Sequence, residues 1–164
     1  MILVQLDAHV DLRESYIGNK NSHACVMQRC LEILPEKKIL QVGIRSGTKK
    51  EFQFMRKKNQ LVNFFPGGNA LELKQALVPY SKSPIYLTID LDWFDPSLLA
   101  GTGTPEPGGF FWNDFEEILK TLKDLRIVAS DIVELSPEID KSGVSSIVAA
   151  KVLRSLILSL ENMQ

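Results

Sequence analysis

The segment ILVQLDAHVD, residues 2–11, decides the fold. Its first half, Ile2–Leu6, is almost entirely apolar, which is typical of a strand that is buried on both faces of a parallel sheet. Its second half places Asp7, His9 and Asp11 directly after that strand. Because ligands bind beyond the carboxyl ends of parallel strands, acidic side chains at this position indicate a functional site.

Apolar runs of strand length alternate with segments of helical periodicity along the rest of the chain. Further strands are predicted at Ile39–Val42, Leu61–Phe65, Ile85–Leu91 and Ile127–Leu135. Helices are predicted at about His23–Leu34, Thr48–Lys58, Gly68–Val78 and Asn113–Lys123, and from about Ser142 onward. The helix at Asn113 begins with a capping-box-like pair, Asn113 and Glu116. Five strands separated by helices predict an α/β fold with a parallel sheet, formed by residues 1–164 as a single domain.

Composition narrows the class of protein. A net charge of −1 gives no reason to expect nucleic acid or a membrane surface as partner, and no apolar run reaches the roughly 20 residues that span a bilayer. Cys25 and Cys30 fall on different faces of a predicted helix, so we expect free thiols and a reducing cytoplasm. The start lacks the pattern of a signal peptide. A buried strand begins almost at Met1, which raises the expectation that the chain is a piece of something longer.

A second acidic cluster follows the fourth predicted strand, where Asp90 and Asp92 stand two residues apart. If the second and third strands extend to one side of the first, and the fourth and fifth to the other, the two clusters face each other across a crevice. Carboxylates that close together cannot all ionise without cations. Two divalent ions would balance them, and oxygen ligands with one imidazole favour Mn²⁺ over thiolate-bound zinc. Two such ions can share a bridging water and lower its pKa.

The simpler interpretation is a set of turn-forming or capping carboxylates. It suits a single Asp-x-Asp, but the coincidence of two such clusters at two strand ends favours the metal site. Asp95 precedes a proline, where Asp usually forms a turn, and it is left out of the ligand set.

Several motifs in this order resemble those of the manganese ureohydrolases of the arginase/agmatinase family. Asp7-Ala8-His9-Val10-Asp11 resembles their DAHxD signature, and TIDLDWFDP (88–96) with GTGTP (101–105) and Gly108-Gly109 resembles their DxDxxDP and GTGTPxxGG signature. YIGN (16–19) and SHACVM (22–27) are similar to the substrate loop of agmatinases, and DIVELSP (131–137) to a strand end of the family. The resemblance implies a three-layer αβα fold of the arginase/deacetylase kind.

The resemblance also implies roles for individual residues. The expected ligands of two Mn²⁺ ions are Asp7, His9, Asp11, Asp90 and Asp92. Asp11 would also hydrogen-bond the hydroxide that attacks the guanidinium carbon. His23 would shuttle a proton to the departing amine, and Glu134 would pair with the substrate guanidinium through two parallel hydrogen bonds. The simpler alternatives are a helix-capping role for His23 and a surface ion pair for Glu134.

The chain departs from the family pattern in ways that matter for metal binding. The family places a Gly-Gly-x-His motif before the DAH strand, and its histidine binds one manganese, whereas the histidines here are His9 and His23. One metal site is therefore expected to lack a ligand, with fewer than two tight Mn²⁺ ions in this chain alone. The family's strands beside the fifth strand are also missing, so the sheet is expected to be incomplete at that edge.

Three functional hypotheses follow. The Ser22-His23-Ala24 segment favours agmatine, hydrolysed to putrescine and urea in polyamine biosynthesis, over arginine, and a guanidinobutyrate or guanidinopropionate hydrolase is kept as an alternative. Such an enzyme would be a cytoplasmic dinuclear-manganese amidinohydrolase, and the family commonly forms trimers or hexamers. The second hypothesis is a truncated or degenerate, non-catalytic metal-binding fragment. A deacetylase-like relative with a single zinc is the remotest, because the paired Asp-x-Asp and the GTGT loop argue against it.

Overall fold

A parallel sheet forms the centre of the computed structural model, which describes residues 1–35 and 38–161. Within these residues the sheet has five strands, in the order β3-β2-β1-β4-β5. The strands are β1 (Ile2–Leu6), β2 (Ile39–Val42), β3 (Leu61–Val62), β4 (Ile85–Asp90) and β5 (Ile127–Val133). Every neighbouring pair is parallel. The predicted α/β class is confirmed, and the strand order reverses between β1 and β4, as the two acidic clusters require.

Helices cover both faces of the sheet. They are α1 (Val26–Leu31), α2 (Lys49–Lys58), α3 (Leu71–Leu77), α4 (Trp112–Leu122) and α5 (Val144–Glu161). Val4 and Leu6 of β1 belong to a core that includes buried residues of α3, α4 and α5. Leu3, on the opposite face, belongs to a second core with Met27 of α1 and Met55 of α2. This alternation follows from the period of two along a strand, and it produces the predicted three layers.

Several predicted element bounds were too long. The third strand is two residues rather than five, because the chain turns away towards Pro66 at this edge of the sheet. The predicted helix from His23 begins as a 3-10 turn, His23–Cys25, and its α-helical part ends at Leu31, shortly before Pro35. By contrast, α2 has the predicted start, with a capping box between Thr48 and Glu51.

The predicted capping pair of α4 was wrong. The carboxylate of Asp114, rather than Glu116, accepts the backbone N–H of Phe111 (2.8 Å) and also that of Gly67 (2.6 Å). Glu116 instead accepts a hydrogen bond from the indole N–H of Trp112 at 3.0 Å. The helix thus begins one residue earlier than predicted, and its first turn is tied to the loop after β3.

The edge at β5 is open, as expected. In the described part of the chain β5 pairs with β4 on one side and with no strand on the other. Val128 and Val133 of β5 are exposed. Cys25 and Cys30 are free thiols, in agreement with the prediction. Among the described helices, none combines the length and apolarity needed to cross a membrane.

Candidate functional site

The tip of β1 is built around a buried carboxylate. Asp7 is 2% exposed, and its two oxygens accept hydrogen bonds from the side-chain amide of Gln5 (2.6 Å) and the backbone N–H of His9 (2.5 Å). The amide of Gln5 is oriented in turn by Gln41 of β2, which donates to its oxygen at 2.7 Å. Two glutamines inside the sheet therefore fix the direction of Asp7, a role that the apolar strand pattern did not indicate.

The tip of β4 turns sharply so that two carboxylates point into the same region. The backbone N–H of Asp92 donates to Asp90 at 2.9 Å, at the start of a 3-10 turn, Leu91–Trp93. Asp92 then accepts the backbone N–H of Ala8, from the β1 tip, at 3.1 Å. The hydroxyl of Thr104 lies 3.3 Å from the other oxygen of Asp92. The two strand tips are thus joined directly.

Asp7, His9 and Asp92 come together as a group that could hold a metal ion. The Nδ1 atom of His9 lies 2.9 Å from Oδ2 of Asp92 and 3.6 Å from Oδ1 of Asp7. One potential ligand atom from each of the three side chains lies within 4.8 Å of the others. Two carboxylates and one imidazole form a donor set that suits a divalent metal ion.

The electrostatics of the cluster also fit a bound cation. Burial, followed by neighbouring carboxylates, raises the pKa of Asp11 to about 8 and that of Asp90 to about 10. Burial also raises the pKa of Asp7 to about 6, against the opposing effect of His9. Hydrogen bonds to Asp7 and Asp92 raise the pKa of His9 to about 10. Burial opposes ionisation of Asp92 too, but His9 outweighs it and lowers the pKa of that carboxyl. The protein alone cannot hold all these carboxylates ionised at neutral pH, whereas divalent cations would.

The remaining predicted site residues line one cavity of about 290 Å³ above the cluster. The predicted residues in its wall are His9, Asp11, His23, Asp90, Asp92 and Glu134. Asp7 is buried at the tip of β1. Asp11 and Glu134 both adopt left-handed backbone conformations, with φ of 57° and 65°. Such strained conformations are concentrated at functional sites, where the surrounding structure enforces them.

The wall beside His23 is formed by the predicted substrate loop. The Tyr16 ring meets the His23 ring edge-on, with centroids 5.7 Å apart, and the Arg13 guanidinium lies 4.8 Å from the centre of the Tyr16 ring. Arg29 of α1 donates to the carbonyls of Glu14 (3.3 Å) and Lys20 (3.0 Å), and so holds both ends of this loop. His23 therefore packs against Tyr16 in the wall of the cavity that the acidic side chains also line.

Two further side chains support the site and were not predicted from the sequence. Glu51 caps α2 and also accepts the backbone N–H of Leu12 at 3.1 Å, which ties the helix to the segment after Asp11. The Thr48-x-x-Glu51 pattern could have indicated the cap but not the second bond. Arg45, just after β2, donates to several backbone carbonyls around the β4 tip.

Asp95, which was left out of the ligand set, behaves as a turn residue. One of its oxygens accepts from the backbone N–H (3.0 Å) and hydroxyl (2.6 Å) of Ser97. The other accepts the backbone N–H groups of Gly108 and Gly109, each at 3.0 Å. These bonds lower the pKa of Asp95, and they close the loop after β4.

Comparisons with known proteins agree with this arrangement. A model described as the arginase family matches residues 1–159. An agmatinase from Halalkalibacterium halodurans is 32% identical over 160 residues, or 96% of this chain and 55% of that protein. An N(1)-aminopropylagmatine ureohydrolase from Thermococcus kodakarensis is 40% identical over 156 residues, or 92% of this chain and 51% of that protein. The crystal structure of agmatine ureohydrolase of Thermoplasma volcanium has a TM-score of 0.81 at 35% identity, covering 99% of this chain and 55% of that one.

The chain thus spans about half the length of the relatives that it matches. The match to the family model nevertheless spans both strand tips, the predicted substrate loop and the strand end at Glu134. The family resemblance predicted from the sequence motifs is confirmed: the chain belongs to the arginase family.

Proposed function

We propose that the site formed by this chain serves manganese-dependent hydrolysis of a guanidinium group with release of urea, and that agmatine, giving putrescine, is the substrate. The observation that carries the proposal is the convergence of Asp7, His9 and Asp92 beside a cavity that His9 and Asp92 line. In the proposal Asp11 and Asp90 are further ligands beside these three. When bound, divalent cations would balance the carboxylate charge and act as Lewis acids towards water and substrate.

The other residues in the cavity wall have roles in this proposal that follow from their chemistry. Glu134 pairs with the planar guanidinium, since a carboxylate matches its fork of N–H donors in two parallel hydrogen bonds. Asp11 accepts a hydrogen bond from the attacking water. His23, held against Tyr16, carries a proton to the departing amine, because a positioned imidazole can exchange protons near neutral pH.

The cavity favours a cationic substrate. Apart from Asp11, Asp90 and Asp92, whose charge the metal ions would balance, its lining includes the acidic side chains Glu51 and Glu134, whereas Arg13 is the one arginine or lysine among the described lining residues. A guanidinium with an amine tail, as in agmatine, complements this charge better than a guanidino acid does. A second candidate is agmatine extended by an aminopropyl group, because two relatives at 36% and 40% identity carry the name N(1)-aminopropylagmatine ureohydrolase.

The experiment is a urea assay with Mn²⁺ on a panel of agmatine, aminopropylagmatine, arginine, guanidinobutyrate and guanidinopropionate. We expect urea from agmatine or its aminopropyl derivative, in excess over the others. An Asp92→Asn variant, which keeps the shape of the side chain, serves as the control and should release none.

Calorimetry on the same samples separates the alternatives. Bound Mn²⁺ without urea from any substrate would favour the non-catalytic metal-binding fragment and contradict the hydrolase. We expect fewer than two tightly bound Mn²⁺ per chain, because the described residues bring one imidazole, that of His9, to the carboxylate cluster. Two tight ions in the isolated chain would contradict that expectation, and no binding at all would contradict both alternatives.

A further inference from the structure

Arg45 lies just beyond β2, beside both strand tips that carry the acidic side chains. Its backbone N–H donates to the carbonyl of Ala8 at 2.9 Å, and the next N–H, that of Ser46, donates to the same carbonyl at 2.8 Å. Ala8 stands between Asp7 and His9. The main chain at Arg45 is therefore bound to the middle of the β1 tip, where a further bridge pairs His9 with Ser46.

The side chain of Arg45 reaches the other tip. Its Nη2 donates to the carbonyl of Asp92 at 2.7 Å and to that of Glu106 at 2.8 Å. Longer contacts of 3.2–3.4 Å reach four further carbonyls, those of Gly43, Trp93, Phe94 and Pro107. The guanidinium thus hydrogen-bonds both the β4 tip and the Glu106–Pro107 loop.

The guanidinium sits in a close-fitting space. A Cβ atom on Gly109 would lie 2.6 Å from main-chain atoms of Phe94 and Asp95 and 2.7 Å from Nη2 of Arg45, so only glycine lets the loop pack this closely over them. Arginine is required by the number of acceptors, since its planar group presents five N–H donors in fixed directions. A lysine offers three donors from a single nitrogen, and cannot reach acceptors on two separate segments in the same way.

We propose that Arg45 is a positioning residue that holds the two acidic strand tips together in the geometry that binds metal. The inference rests on the proposed function, but it concerns the tips themselves and is testable without catalysis. Arg45 contacts Asp92 through its backbone carbonyl, so it fixes the direction of the metal-binding carboxylate rather than serving as a ligand. Loss of the guanidinium hydrogen bonds would let the β4 tip move relative to the β1 tip.

The test compares Arg45→Lys and Arg45→Gln with the control Arg56→Lys. Arg56 is an exposed arginine of α2 whose guanidinium lies over the Phe52 ring, and among the described residues no hydrogen bond joins its side chain to either strand tip. Mn²⁺ affinity is measured by titration followed by electron paramagnetic resonance. We expect both Arg45 variants to bind Mn²⁺ about 10–100-fold more weakly, as is usual when a group that orients a metal ligand is removed, and the control to remain within about twofold of the wild type.

Hydrogen exchange in the presence of chelator gives a second readout. Asp95 N–H donates to the carbonyl of Phe110, and Phe110 N–H to that of Trp93, so these two amides report on the closure of the β4 tip. In the Arg45 variants they should exchange at least about tenfold faster, while the amides of α3 exchange as in the wild type. Faster exchange at Asp95 and Phe110 with unchanged exchange in α3 would indicate local opening of the β4 tip, because general destabilisation would speed exchange in α3 as well.

Three outcomes would overturn the inference. The first is that Arg45→Lys binds Mn²⁺ with wild-type affinity. The second is that the amides of Asp95 and Phe110 exchange in the Arg45 variants as they do in the wild type. The third is that both Arg45 variants lose cooperative melting, which would mean that Arg45 supports the whole fold. Failure of the proposed function is distinguishable, because it would appear in the wild type, either as absent Mn²⁺ binding or as binding without release of urea. The exchange measurement on the metal-free protein would still decide the role of Arg45.

Discussion

Replacing Gly43 by alanine should destabilise the protein strongly and weaken the metal site. Gly43 has φ of +88°, and a Cβ atom there would lie 2.3 Å from Nε1 of Trp93 and 2.7 Å from Cε2 of Phe110. These rings are stacked, with centroids 4.2 Å apart, and both are buried, so neither can move aside cheaply. The left-handed backbone costs about 1–2 kcal/mol and the overpacking about 1–3 kcal/mol, or about 2–5 kcal/mol together.

Gly67→Ala is the matched control. Gly67 has φ of +72° but no atom within 4 Å of the added Cβ, so it reports the backbone cost alone. In urea denaturation, the free energy of unfolding of Gly43→Ala should therefore be lower than that of Gly67→Ala by about 1–3 kcal/mol. For a chain of this size, that difference corresponds to roughly 2–12 °C in melting temperature. Because Trp93 follows Asp92, Mn²⁺ affinity should fall in Gly43→Ala only. Equal stabilities of the two variants, within about 0.5 kcal/mol, would refute the reasoning about the aromatic stack.

Three further perturbations have definite expected outcomes. Ile17 is 88% exposed with φ of +49°, next to Gly18 with φ of +76°. Ile17→Asn should raise the free energy of unfolding by about 1 kcal/mol, because Asn-Gly suits this two-residue turn. A lower melting temperature in this variant would contradict the prediction. Thr48→Ala should lower the free energy of unfolding in urea by about 1 kcal/mol, because it removes the capping box of α2. An unchanged free energy of unfolding would show that the cap contributes nothing to stability. In chelator, the melting temperature should fall as pH rises from 5.5 to 8.5. The pKa values of Asp7, Asp11 and Asp90 are raised to about 6, 8 and 10, and that of His9 to about 10, so the folded state binds more protons than the unfolded state in this window. Saturating Mn²⁺ should reduce that fall, and a melting temperature that rises with pH would contradict the assignment.

The parts of the fold that sequence predicted well are those determined by local patterns. The strands β1 and β4 are mainly apolar, and their ends were placed within one residue. The edge strand β3 was predicted too long, because Phe64 and Phe65 favour strand by propensity. Phe64 instead leaves the sheet to stack on Phe110. Tertiary packing overrode local preference there.

The candidate site was predictable to the extent that it follows from parallel topology. Two acidic clusters at two strand ends must meet if those strands are neighbours, and β1 and β4 are neighbours. The supporting residues were not predictable in the same way. The guanidinium of Arg45 bonds residues 47 and 61 positions away, and no local pattern indicates where a long polar side chain will be directed. Gln5 looked like an interruption of an apolar strand, whereas it orients Asp7.

The proposal that both strand tips hold the same cation is tested most directly by Mn²⁺ titration of two single variants, Asp7→Asn and Asp92→Asn. One removes a carboxylate from the β1 tip and the other from the β4 tip, and neither changes side-chain shape. We expect each variant alone to weaken binding of the same ion by at least about tenfold, because its ligands come from both strands. Wild-type affinity in either variant would contradict the shared site, and with it the proposed hydrolysis of a guanidinium group.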